Sequence, residues 1–198
     1  MESFYTIQGE GLYQGRAAYF IRLGGCDVGC SWCDVKDSWD AGAHPKFSVE
    51  EIVHKALEEV AGNTKNIIAV ITGGEPLMYN LDELTDVLHK AGFQTNIETS
   101  GAYALSGNID WICLSPKKFK EPLPEVIAKA NELKIIVYNK SDFDWAEKYA
   151  AQTSPGCKLY LQPEWSKEKQ MLPLMIDYIK QHPQWELSVQ IHKYINVP

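Results

Sequence analysis

Apolar positions along the 198-residue chain follow two alternating periods. Short apolar or alternating runs predict strands over Ala17–Leu23, Thr95–Thr99, Trp111–Leu114, Lys134–Tyr138 and Lys158–Gln162, with a last strand over Glu186–His192. Ile67–Thr72 is an unbroken apolar run ending in Gly73-Gly74. That pattern suits a strand covered on both faces of a parallel sheet. Between these runs the spacing changes to that of helices. Over Ser48–Ala61, residues Ile52, Val53, Ala56, Leu57 and Val60 share one face, and Ser48 with Glu51 has the spacing of a capping box. Leu81–Ala91 reads as a second amphipathic helix, with Asn80 as its cap and Gly92 as its stop. Pro124–Leu133, Phe143–Gln152 and Lys167–Gln181 predict three more. Gly24–Asp40, rich in glycine and cysteine, predicts an irregular segment.

Strands alternating with helices argue for a parallel α/β fold. No linker, repeat or low-complexity stretch interrupts the alternation, so a single domain over 1–198 is expected. Six or seven strands in this length fall short of a closed eight-fold barrel, which usually takes roughly 250 residues. The expectation is a partial, open TIM-like barrel of six to seven mostly parallel strands with helices outside. Ligands in such folds bind at the C-terminal ends of the strands. Gly24–Cys33, Gly73-Gly74-Glu75-Pro76, Thr99-Ser100, Ser115-Pro116-Lys117 and Gln162-Pro163 each follow a predicted strand. They should meet at one mouth.

Charge narrows the partners. A net charge of -7 gives no cationic stripe for a phosphate backbone, so the many aromatic residues are not read as a nucleic-acid platform. No apolar run of about 18 residues suggests a membrane span. The N-terminal MESFYTIQGEG lacks a basic start and an apolar stretch, so the expected compartment is the cytoplasm.

Of five cysteines, three fall at 26, 30 and 33. Cys113 and Cys157 stand alone in apolar surroundings and are expected to be buried free thiols. A tight triplet without a secretory start reads as metal-binding. Three thiolates can hold three corners of a 4Fe–4S cube and leave the fourth iron open for a small molecule. A structural zinc ion wants a fourth ligand, for which Asp34, His44 and His54 are candidates. Spacing alone leaves both open.

The C-x3-C-x2-C spacing, with Trp32 before the last cysteine and Gly73-Gly74-Glu75-Pro76 after the second strand, resembles the radical S-adenosylmethionine (SAM) superfamily. The resemblance implies a 4Fe–4S cluster on Cys26, Cys30 and Cys33, with SAM chelated at the open iron. There, one electron cleaves SAM to a 5′-deoxyadenosyl radical that abstracts hydrogen. Across nearly the whole chain the sequence is similar to one branch, the 7-carboxy-7-deazaguanine synthases. The stretches that carry this are Phe4–Gly11, Phe20–Leu23, Glu98–Gly101, Ser115–Lys117, Leu161–Pro163 and Gln190–Tyr194. The branch implies an abbreviated barrel and 6-carboxy-5,6,7,8-tetrahydropterin as substrate. It also implies magnesium, a flavodoxin or ferredoxin as electron donor, and a homodimer in the pathway to queuosine and related 7-deazapurines.

By position, the resemblance implies SAM contacts at Gly73, Gly74, Glu75, Ser100, Ser115, Pro116, Lys117, Gln162 and Pro163. It implies substrate contacts at Ile7, Gln8, Gly9, Glu10, Arg22, Thr72, His192 and Pro198. A guanidinium such as Arg22 pairs a carboxylate through two parallel bonds. Relatives often carry a magnesium-binding threonine where this chain has Val35, so no magnesium ligand is assigned; Asp37 and Ser38 lie nearby. The competing readings are a glycyl-radical activating enzyme of the same superfamily and, from another class, a zinc-stabilised binding module without catalysis.

Overall fold

A computed structural model of the chain describes residues 1–33 and 35–198. Its frame is one eight-stranded sheet whose strands lie side by side in sequence order. They are β1 (Glu2–Ile7), β2 (Ala17–Leu23), β3 (Ile68–Gly73), β4 (Gln94–Thr99), β5 (Trp111–Leu114), β6 (Glu132–Val137), β7 (Lys158–Pro163) and β8 (Trp185–Leu187). From β2 to β8 every neighbouring pair is parallel, while β1 runs antiparallel to β2, from Glu2↔Arg22 to Ile7↔Ala17. The helices are α1 (Val49–Glu59), α2 (Asp82–Lys90), α3 (Pro124–Lys129), α4 (Asp142–Ala150), α5 (Glu168–Gln181) and α6 (Ile191–Ile195).

Most elements follow the apolar period. Ile68, Ala69, Val70 and Ile71 of β3 have no solvent exposure, as an unbroken apolar run in a parallel sheet requires. Ser48 caps α1 by accepting from the Glu51 N–H at 3.2 Å, while Glu51 accepts from the Ser48 N–H at 2.7 Å. Asn80 accepts from the Asp82 N–H at 2.8 Å ahead of α2, and Gly92 at φ +89° ends it.

Three boundaries differ from the sequence reading. The strand β1 was not expected. As an edge strand it has one neighbour and its residues are only half-buried, so its apolar signal is weak. The helix expected over Pro124–Leu133 ends at Lys129. Asn131 already bonds to Ile112 in β5 through both its backbone and its side chain, which pulls the chain into the sheet. The last strand stops at Leu187 instead of reaching His192, and Ile191–Ile195 is helical.

The outer face of the sheet is apolar and carries the helices in two clusters. One joins α1 and α2 to β2–β4 around Leu88 and Ile97; the other joins α3–α5 to β5–β8 around Leu133, Leu161 and Trp185. A fully buried side chain of this kind contributes roughly 1.5–3 kcal/mol. The inner face is different. Ala18, Ile68 and Val70 pack there with Tyr13 and Phe20, while Asn96, Ser115, Glu132, Lys134 and Gln162 are buried on it or near the mouth, so only part of the concave side is apolar and the rest carries chemistry.

The sheet does not close into a ring, because β8 and β1 are not paired. Polar bonds lace the seam between them. The Gly11 N–H donates to Ser188 Oγ at 3.0 Å, Ile191 N–H to the Gly9 carbonyl at 3.1 Å, and Gln190 Nε2 to Glu10 at 2.8 Å.

Candidate functional site

A cavity of about 270 Å³ opens at the C-terminal ends of the parallel strands. Every site residue expected from the sequence lines it except Pro116, which is buried behind Ser115 and Lys117. Segments from opposite ends of the chain, Ile7 and Pro198 among them, therefore share one wall.

The cysteine loop leaves the end of β2 and is pinned by backbone bonds. Gly25 N–H donates to the Ser38 carbonyl at 2.6 Å and Cys26 N–H to the Trp39 carbonyl at 3.2 Å. Glycines 73 and 74 let β3 end directly against this loop. A Cβ on Gly73 would lie 2.2 Å from the Leu23 carbonyl oxygen, and one on Gly74 would lie 2.1 Å from that of Gly25. Their bareness thus first serves contact with the chain's own backbone. The Gly74 and Glu75 N–H groups bond back to the Leu23 and Gly25 carbonyls, both at 2.9 Å.

Glu75 is almost wholly buried. Its carboxylate accepts from the Leu77 N–H at 3.0 Å, the Thr99 hydroxyl at 2.6 Å, the Ser100 N–H at 2.8 Å and the Ser100 hydroxyl. It braces the end of β4 to the end of β3. Nearby, Lys117 Nζ donates to Ser115 Oγ at 2.6 Å and faces Cys30; burial lowers its pKa.

Cys26, Cys30 and Cys33 all line the cavity and are electrostatic neighbours of one another. Burial raises the thiol pKa of Cys26 and Cys30, so loading a metal there displaces protons. Among the described residues, no group of three His, Cys, Asp or Glu is placed to hold a single ion. Three thiolates on one loop can hold three corners of an iron–sulfur cube, whereas a structural zinc wants a fourth ligand. Of the zinc ligands considered, His54 sits on the solvent side of α1 beside Glu58, and His44 bonds the Asp37 carbonyl. Asp34 lies outside the described residues.

On the same cavity wall, Arg22 and Thr72 sit level with each other on β2 and β3. The Arg22 guanidinium lies over the Phe4 ring and 3.4 Å from Glu2. Gly9 packs so tightly on His192 that a Cβ would lie 2.1 Å from Nδ1. Near Val35, the buried Ser38 hydroxyl donates to the Val35 carbonyl at 2.6 Å, while Asp37 is exposed.

The chain matches the model of the Radical SAM superfamily over residues 20–136. It is 52% identical over 198 residues to a 7-carboxy-7-deazaguanine synthase of Flavobacterium psychrophilum, covering 100% of this chain and 91% of that protein. It is 34% identical over 218 residues to the 7-carboxy-7-deazaguanine synthase of Escherichia coli, covering 99% and 97%. The crystal structure of QueE from Escherichia coli superposes with a TM-score of 0.81 at 33% identity, covering 96% of this chain and 92% of that one. The chain belongs to the 7-carboxy-7-deazaguanine synthases of the radical SAM superfamily. Membership implies a 4Fe–4S cluster and SAM, and the cysteine triplet and the cavity beside it fit both.

As a radical SAM protein, the chain has wall residues that the sequence reading missed. Lys134 on β6 bonds Glu10 and lies 3.5 Å from Glu98 on β4. Gln8 Nε2 donates to Glu98 at 3.0 Å, and Gln190 and Gln162 both donate to Glu10. Burial would raise the Glu10 pKa, but the Lys134 charge and these donors outweigh it and hold it at about 2. Burial would likewise lower the Lys134 pKa; Glu10 and Glu98 reverse the effect and raise it well above the ordinary value. A lysine inside an apolar strand run carries no sequence signal of its own. Only the period-two face it shares with Glu132 and Ile136 marks it as inward. The remaining thiols play no part at the mouth: Cys113 is buried beside Glu132, and Cys157, only partly buried, precedes β7.

Proposed function

We propose that this protein converts 6-carboxy-5,6,7,8-tetrahydropterin to 7-carboxy-7-deazaguanine with loss of ammonia. The observation that carries this reading is the meeting, in one cavity, of a thiol triplet with Arg22 and a carboxylate–amide set. That lining offers thiolates for a cluster and a guanidinium for a small polar acid.

When bound, the cluster and SAM supply a carbon-centred radical that removes a hydrogen atom from the substrate. The chain's own residues position and shield. Cys26, Cys30 and Cys33 would hold the cluster, with SAM beside it. Gly73, Gly74, Glu75, Ser100, Ser115, Pro116, Lys117, Gln162 and Pro163 form the SAM side of the wall. Arg22 pairs the pterin carboxylate, with Thr72 beside it. Ile7, Gln8, Gly9, Glu10, His192 and Pro198 fix the ring. A reactive intermediate requires such a wall to exclude water.

Magnesium would assist; Val35 offers no side-chain oxygen, so either substrate, water and a nearby group such as Asp37 or Ser38 would hold it, or the dependence on it is weaker. The electron comes from a flavodoxin or ferredoxin, and the chain acts as a cytoplasmic homodimer with no nucleic-acid contact. No helix among the described residues is long and apolar enough to cross a membrane.

The test is anaerobic reconstitution with iron and sulfide, then a single turnover with the pterin, SAM, magnesium and dithionite, read by mass spectrometry. A product with the mass of 7-carboxy-7-deazaguanine, absent from Cys30→Ala, supports the reading. Formation of 5′-deoxyadenosine without any deazapurine overturns the substrate assignment.

A further inference from the structure

Lys134 is a charge that the reading above leaves without a role. Its side chain is 4% exposed, in the middle of β6. Burying an ammonium is costly unless it is paired and fully bonded. Two carboxylates reach it from distant parts of the chain, Glu10 from the turn after β1 and Glu98 from β4. Without a cation between them, such a pair does not ionise fully; one member takes up a proton. Glu98 keeps the larger exposure of the two, 24% against 14%, and both line the cavity.

We propose that Lys134 is a positioning residue that holds Glu10 and Glu98 as an ionised pair, leaving their free lone pairs to accept the N–H edge of the bound substrate. This deepens the function proposed above and rests on it. The ammonium itself does not touch substrate. It fixes where the two acceptors point and keeps them acceptors. The other titratable groups facing it are Cys113 from β5, Glu132 from β6 and Lys117 from the loop after β5. Glu132 is itself held protonated more readily than usual by burial, with Lys134 opposing. The ionised balance at this wall therefore rests on Lys134.

The sign follows from burial. With Lys134 present, Glu10 stays ionised far below neutrality. With Lys134 replaced by an apolar chain of similar length, burial is opposed only by the Gln190 and Gln162 amides and raises the carboxylate pKa. A proton then occupies the pair near neutral pH, and one acceptor becomes a donor. Substrate affinity should fall, and it should recover as pH rises and the proton leaves.

The experiment is anaerobic equilibrium binding of 6-carboxytetrahydropterin to reconstituted, SAM-loaded enzyme without reductant, from about pH 6 to about pH 9. Wild type, in which Glu10 stays ionised far below this range, should bind with no pH dependence arising from Glu10. Lys134→Met should bind about tenfold more weakly at the acid end, the factor expected for roughly one unit of pKa displacement, and approach wild type at the alkaline end. Lys134→Arg, which keeps the charge, should retain the wild-type profile. Thermal melting and iron content report whether each variant is folded. Should Lys134→Met not fold, the comparison passes to Glu10→Gln against Glu10→Gln/Lys134→Met. The first keeps the ammonium and its hold on Glu98 and should bind the pterin more tightly than the second. Identical profiles with and without Lys134, or an Arg variant as impaired as the Met one, overturn the proposal. Wild type that binds no pterin at any pH sinks the substrate reading instead, and this proposal with it.

Discussion

Gly9 matters because it has no side chain. His192 occupies the space a methyl group would need, with Nδ1 2.1 Å from where the Cβ would stand. Gly9→Ala must push the His192 ring away from the cavity. The expected result is a rise in KM for the pterin of about tenfold, in line with losing one oriented contact, with iron loading unchanged. Steady-state kinetics alongside iron analysis will show it. The Glu10–Lys134 pair has a further consequence for acid stability. The folded-state pKa of Glu10, about 2, lies below its ordinary value near 4.5. Its contribution is therefore present above about pH 4.5 and lost as pH falls toward about 2. Glu10→Gln should flatten the acid limb of a melting-temperature-against-pH curve in that window. The cysteines and Gly73-Gly74-Glu75-Pro76 were legible in the sequence because each is a local pattern. Lys134, Glu98 and Gln190 were not, because their meaning lies in partners as far as 180 residues away.

At the scale of elements, the period of apolar residues carried most of the information. Strands with neighbours on both sides, such as β3, bury both faces and announce themselves. The edge strand β1 does not, since half of its surface meets water. The end of α3 was misread because Asn131 is captured by β5, a tertiary bond invisible in a local pattern. The start of α1 was plain, its reciprocal cap lying within four residues. Ser48→Ala should cost about 1 kcal/mol and lower the melting temperature by roughly 2–4 °C. Turnover should be unaffected, since α1 packs on the outer face of the sheet.

For the molecule as a whole, the sheet's open seam sets the pattern of motion. Between β8 and β1 no ladder forms, and the bonds that bridge the gap come from Gly9, Glu10, Gly11, Ser188, Gln190 and Ile191. Local opening should begin there, where backbone bonds are few. Amides of Gly11 and Ile191 are expected to exchange with solvent far faster than those of Ile68–Ile71. Adding the pterin should slow the first pair and leave the second unchanged, which exchange measured by mass spectrometry will resolve.

The groups that lace the seam are also groups that line the cavity, Gly9, Glu10 and Gln190 among them. A bound substrate therefore acts as a rivet through a split hoop. At a hundredfold excess over its dissociation constant, a ligand adds about 2.7 kcal/mol to stability. Here that increment should fall on the seam itself, so limited proteolysis should cut the pterin-bound enzyme there more slowly than the free one.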